Sequence, residues 1–522
     1  MNLMDQTLAA EQIAGIYEDL EAQLMANIIR HVRDYDKPID SDEWLMIKLA
    51  EIGKLNKENL RIIARAYGMT PTAIERMLQE TADKALSRIE PGFAQMARDG
   101  LVDRAVEAGK SKSVKQVLQN YMGQAKEVLN TCNTQMFFAA QESFKKLVNG
   151  TVSLAKELSE KQDYLDILNK NTAARVTGAI SRQQALRKTV KDFNARGIPA
   201  FVDRAGREWT PEAYVGMTMR TTASNTAAEA QFARASDHGI NLIEITSHSG
   251  ARPKCAKDQG QIFDRSNRSS KYRHWNTSSY GQPDGILGIN CGHNAHPYIE
   301  GVSIQRYFPI NEKENDELYK QFQTQRGLER EVRKQKRECM LYDELGDKES
   351  FEKASVRLKE KEAQLSSHIT QNEELHRRRD REQVVGFDKR VSAEAVSANK
   401  KHQKALAQKK KDDIIKAEMR QAGFRGNIDL HPQIPSVKEL KFDDAHINEQ
   451  RQHGVTESEA KEFIQKAKFS VSRWNGQFTN FYSAHGAAYV DNEAQTIRTA
   501  FRNDQYDETV RKAMEIYEKG TG

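Results

Sequence analysis

The chain has 522 residues, 38% hydrophobic and 30% charged, with a formal net charge of +6. That is enough for about three domains with modest cores and much solvated helix, and the net charge by itself selects neither for nor against nucleic acid. With no run of about 18 apolar residues no membrane span is expected, and the acids in MNLMDQTLAAEQIAGIYEDLE are at odds with a secretory signal.

From the N-terminus, residues 5 to 36 read as one amphipathic helix, with Leu8, Ile13, Ile16, Tyr17, Leu20, Leu24, Ile28 and Val32 at helical spacing. Lys37-Pro38 is expected to end it. Ser41 is placed to cap a second helix, with Trp44 behind it and a stripe through Ile47, Leu49, Ile52 and Leu55. Helical pattern then continues to about Arg196. Within it, NLRIIARAYGMTPTAIERMLQE has the cadence of a helix-turn-helix. Thr72, Glu75 and Arg76 are a poor set for reading bases, so the stretch is read as two antiparallel packed helices.

The pattern changes after Lys191. Ile198–Asp203 and Gly206–Trp209 read as a hairpin, and Thr210-Pro211 as the N-cap and first residue of a new helix. Leu242–Thr246 is a β-branched strand stopped by Ser249-Gly250, Ile262-Phe263 starts another, and Gly288–His293 reads as a strand end with a tight turn punctuated by Pro297 and Gly301. Asn311 to Gln421 is helix-forming and heavily charged. Its apolar residues, among them Leu328, Val332, Leu341, Leu358 and Leu365, are too sparse for a buried core and suit a wet antiparallel hairpin or coiled-coil arm. Two basic runs there, His376–Arg379 and Lys409–Lys411, are candidate phosphate contacts or solvated faces. Gly423–Lys441 is broken by glycine and proline and reads as a linker. Beyond it, Thr456 and Glu459 form a capping box. Strands follow at Gln477–Ser483, Ala487–Asp491 and Thr496–Phe501, then a helix from Asp507 to Lys519.

The expected class is therefore α+β, mainly α. Its parts are a helical region over 1–196, a central α+β unit over 197–310, a charged arm over 311–422, a linker over 423–440 and a C-terminal α+β domain over 441–522.

Two stretches carry chemistry. In the central one, Cys255, Cys291, His293 and His248, with His296 nearby, offer a Cys/His zinc site. The competing reading is that they are packing and hydrogen-bonding residues, since neither cysteine belongs to a Cys-x-x-Cys knuckle. No other cofactor is called for. Cys132 and Cys339 complete a scattered set of four, so a disulfide framework is not expected and a reducing compartment is. A nucleophile role for Cys291 with His293 lacks an orienting carboxylate and an oxyanion hole.

The C-terminal segment resembles the phage-borne nuclease group that includes barnase, EndoU, colicin and RelE domains. Metal-independent RNA cleavage needs an acid, a base and a phosphate-holding cation. His446 or His453 are candidates for the proton transfers, Arg498 or Arg473 for the phosphate, and Tyr482, Ser483 and Thr499 as donors. An inactive or binding-only domain is the alternative. No Glu-x-Glu motif supports an ADP-ribosyltransferase.

The central pattern Ser247-His248-Ser249-Gly250-Ala251-Arg252-Pro253-x-Cys255, then Gly260-x-Ile262-Phe263, then Gly288-Ile289-Asn290-Cys291-Gly292-His293-Asn294-x-x-Pro297-Tyr298, resembles phage minor capsid protein 2, a relative of the Mu gene F class of head-morphogenesis proteins. Trp209, Tyr214, Met217, Arg220 and Thr221 extend the resemblance upstream. It implies a structural virion protein near the portal, assembled in the host cytoplasm. Its implied partners are the portal protein and major capsid or scaffold protein, with phage DNA a further one. RNA would be a partner only through the C-terminal segment. The rival function is a virion-borne ribonuclease effector.

Overall fold

The computed structural model describes residues 3–33, 41–168 and 177–521 and divides into two compact units, residues 1–399 and 400–522. The first is built on helices α1 (Leu3–Val32), α2 (Ser41–Ala50), α3 (Ile52–Ser87), α4 (Glu90–Arg98), α5 (Lys112–Leu168) and α6 (Thr177–Arg196). The stripe read from the sequence is the buried face of α1: Ile13, Tyr17, Leu20, Leu24, Ile28 and Val32 are almost wholly buried. Lys37-Pro38 lies outside the described residues.

The two helices expected around Gly68 are one. α3 runs without a break through Pro71. A proline inside a helix removes the N–H that would bond the carbonyl four residues back. Here that carbonyl belongs to Tyr67, and the buried Thr70 hydroxyl donates to it at 2.7 Å. The local side chain replaces the missing bond, and the ladder continues.

A short hairpin, β1 (Phe201–Val202) and β2 (Glu208–Trp209), leads into α7 (Pro211–Asp237), whose N-cap Thr210 accepts from the Ala213 N–H. Helices α1, α3, α5 and α7 share one core. Gly197, just before the hairpin, has φ +69°, and a Cβ there would collide with the Glu21 carboxylate. That carboxylate is buried because it accepts the Ile198 N–H at 2.9 Å and an Arg337 bond at 3.2 Å.

The central sheet contains β3 (Leu242–Ile245), then after the one-turn helix α8 (Pro253–Ala256) come β4 (Ile262–Asp264), β5 (Arg273–His274) and β6 (Ala295–Tyr298), in the order β5-β4-β3-β6. Pro297 belongs to β6 rather than ending a strand, and residues 288–293 are turn.

The charged stretch forms α9 (Glu312–Leu345) and α10 (Lys348–Thr370), an antiparallel pair turned at Gly346 in the left-handed conformation. This pair is not a wet arm. Val332, Cys339, Leu341, Ala354, Leu358 and Leu365 are fully buried and join the core of α1. Arg187 of α6 also holds Asp347, at the start of α10, at 3.1 Å. The apolar positions are few but fall on one seam, and the charged remainder covers the other faces.

Helix α11 (Lys389–Gln421) carries the chain across the boundary between units. The stretch expected as a linker belongs to the second unit's sheet. It contributes β7 (Asn427–Asp429) and buries Phe424, Ile428 and Leu430. With β8 (Lys441–Phe442), helix α12 (Glu457–Gln465), β9 (Phe469–Arg473), β10 (Phe478–Tyr482), β11 (Gly486–Asp491), β12 (Thr496–Arg502) and helix α13 (Glu508–Thr521), it gives a six-stranded sheet of order β7-β9-β10-β11-β12-β8. Side chains alternate between faces. Phe481 packs with Phe463 and Ile464 of α12, while Tyr482 packs with Phe424, Val510 and Met514 on the other side. The capping box at Thr456 and Glu459 is formed. The whole is mainly α with small sheets, an α+β chain as expected. Among the described residues no helix is long and apolar enough to cross a membrane.

Candidate functional site

The cysteine and histidine residues of the central pattern meet. Cys255 is carried by α8, and Cys291 and His293 by the turn before β6. One ligand atom from each of the three lies within 4.8 Å of the others. The Cys255 and Cys291 Sγ atoms are 3.9 Å apart, and Cys291 Sγ is 3.3 Å from His293 Nδ1. Hydrogen bonds fix the rest: the Leu287 N–H donates to Cys291 Sγ at 3.2 Å, and Cys255 Sγ donates to the Gly285 carbonyl at 3.3 Å. The Cys291 thiol is held well below the usual range, first by the hydrogen bond from Cys255 and, against the cost of burial, by His293. Cys255 is pushed up because it keeps the shared proton.

His248 stacks on His293 with ring centroids 4.3 Å apart, and burial followed by the neighbouring His293 lowers its pKa. It is not among the three clustered ligands. Nor is His296, which faces Glu244 across the sheet and stacks on Tyr307, with burial holding it at about 4. Sequence reading missed Gln259. It was taken only as part of a turn, yet its Oε1 bonds both His293 Nε2 and the His248 N–H, each at 3.1 Å. A polar residue just ahead of a buried strand was the available signal.

In the second unit the candidate residues have separate partners. His446 is exposed and bonds Gln450 at 3.0 Å, while His453 bonds Gln505 at 2.7 Å. Arg498 is paired with Asp443 at 2.8 Å, and the same carboxylate accepts the His446 N–H at 3.2 Å. That brings Arg498 and His446 to one carboxylate. Tyr482 and Ser483 are buried: the Tyr482 hydroxyl lies 3.1 Å from that of Tyr489, and Ser483 Oγ closes a turn onto the Gly486 carbonyl at 2.8 Å. Thr499 is half-buried on β12 opposite Tyr489, and Arg473 is exposed at the end of β9.

Compared with known families, residues 4–370 match phage minor capsid protein 2. The chain belongs to that family. It is 30% identical over 305 residues to a "Structural protein" of Lactococcus phage LL-H, an alignment covering 56% of this chain and 81% of the relative. A "Structural protein" of Lactococcus phage mv4 is 35% identical over 111 residues, 21% of this chain and 88% of the relative. No solved structure matches. As a minor capsid family member the chain is a structural component of the virion. The family match takes in the helical core, the central sheet with its cysteine–histidine cluster and the α9–α10 pair. It ends before the second unit.

Proposed function

We propose that the chain occupies the portal-proximal side of the head, where its first unit contacts the portal protein and major capsid or scaffold subunits and assists DNA packaging or delivery. The family match over residues 4–370 carries this reading. An exposed apolar stretch supports it: Val302, Ile304 and Phe308, leaving β6, are 45%, 83% and 61% exposed. Clustered exposed apolar side chains on a soluble protein suit burial against a partner. Cross-linking mass spectrometry on purified procapsids is expected to join the first unit to the portal protein. Ile304→Asp with Phe308→Asp should cut incorporation about tenfold, the effect of losing two interface anchors. Links to tail proteins alone, with both variants incorporated normally, would overturn it.

DNA contact is assigned to α11, where Lys409, Lys410 and Lys411 are all exposed. The other basic run is already engaged, since Arg377 pairs with Glu382 and Arg378 with Asp380. Changing Lys409–Lys411 to glutamine should flatten the salt dependence of DNA binding by up to about 2.7 in slope. An unchanged slope removes α11 from the interface. The ribonuclease reading is not carried forward, because Tyr482 and Ser483 are committed to the core and to a turn.

A further inference from the structure

All four cysteines are buried free thiols, but only Cys255 and Cys291 are brought together. Their 3.9 Å separation is far from the bond of about 2.05 Å that a disulfide requires. It is close to the edge of a zinc tetrahedron. Sulfur ligands about 2.3 Å from zinc, and nitrogen about 2.0 Å, stand roughly 3.5–3.8 Å from one another. The 3.3 Å between Cys291 Sγ and His293 Nδ1 is near the same edge.

The hydrogen bonds around the cluster suit ligands. A backbone N–H can only donate, so the Gln259 atom that accepts from the His248 N–H is the amide oxygen. That oxygen can only accept from His293 Nε2, which therefore carries the hydrogen. Nδ1 is left with its lone pair, on the side where the sulfur atoms lie. An outer partner that fixes the tautomer in this way is the usual support of a metal-bound imidazole. The Leu287 N–H aimed at Cys291 Sγ stabilises a thiolate.

The turn that delivers Cys291 is strained. Leu287 and Asn290 have φ of +55° and +53°, and for leucine that conformation is costly. Beside the cluster, His248 Nε2 is buried with no hydrogen-bond partner among the described residues.

We propose that Cys255, Cys291 and His293 bind one zinc ion, with Gln259 as the positioning residue for His293. The ion would clip α8 and the 285–293 turn to the sheet carrying the family's central pattern.

The test is metal analysis of the full chain, purified without chelators, with its cobalt-substituted form followed by absorbance. About one zinc per chain is expected, together with a thiolate-to-cobalt charge-transfer band. Both should be lost in Cys255→Ser and Cys291→Ser and kept in Cys132→Ala and Cys339→Ala. Gln259→Ala should bind zinc about 10- to 100-fold more weakly in competition with a chromogenic chelator. Circular dichroism establishes folding independently of the metal. A folded native chain with neither zinc nor a cobalt band overturns the proposal. So does zinc retained by Cys291→Ser, or a Cys255–Cys291 disulfide in place of the ion.

Discussion

Thr70 carries more of α3 than its size suggests. Its hydroxyl is the donor that lets the helix pass through Pro71, because it bonds the Tyr67 carbonyl that proline leaves unpaired. Thr70→Val keeps the shape and removes that donor, and should cost about 1 kcal/mol. In a Pro71→Ala background the restored N–H at residue 71 takes over the carbonyl, so the same change should cost close to nothing. Urea denaturation of the four chains gives the cycle, and equal costs in both backgrounds would contradict the account. This also explains why the helix-turn-helix cadence misled. Glycine, threonine and proline in succession are read as a break, and the side-chain substitution that prevents it has no signature in spacing.

Helices α9 and α10 show which element properties the sequence exposes. The stripe of α1 was legible because its apolar residues are dense and regular, and the caps at Thr210 and Thr456 because side chain and neighbour form a local pattern. The α9–α10 seam was not, since one buried residue per turn among charged neighbours looks the same in a solvated coiled coil. Leu358 decides between these states. It is fully buried, so Leu358→Ala should cost about 3 kcal/mol, against a few tenths on a wet face.

Strands β7 and β9 were missed for a related reason. Asn427–Asp429 sits among glycine and proline, and Phe469–Arg473 follows directly on a lysine-rich helix end. Both are recognised only through the partners they pair with. The residues of the cysteine–histidine cluster were legible, but Gln259 was not, because its role depends on a fold that brings it beneath His293.

The α12 cap gives a pH-dependent check. Bonds from the Thr456 N–H and hydroxyl, then from Arg502, hold the Glu459 carboxyl down at about 2. A depressed folded-state pKa adds stability that is present above the unfolded value, near 4.3, and is lost as pH falls towards 2. Glu459→Gln should therefore be less stable than the native chain at pH 7, and the gap should close by about pH 2. A gap that is constant with pH would contradict the assignment.

At the scale of the whole molecule, a helical core, a small sheet with a cysteine–histidine cluster and a docked charged helix pair together make up the part that matches the minor capsid family. A chain of this kind is built into particles. The most direct measurement is quantitative mass spectrometry of gradient-purified virions, set against the infected-cell lysate. The account predicts that the chain co-sediments with DNA-filled heads at a fixed ratio to the major capsid protein and survives high-salt washing. A chain abundant in the lysate but absent from washed particles would contradict a structural role in the virion.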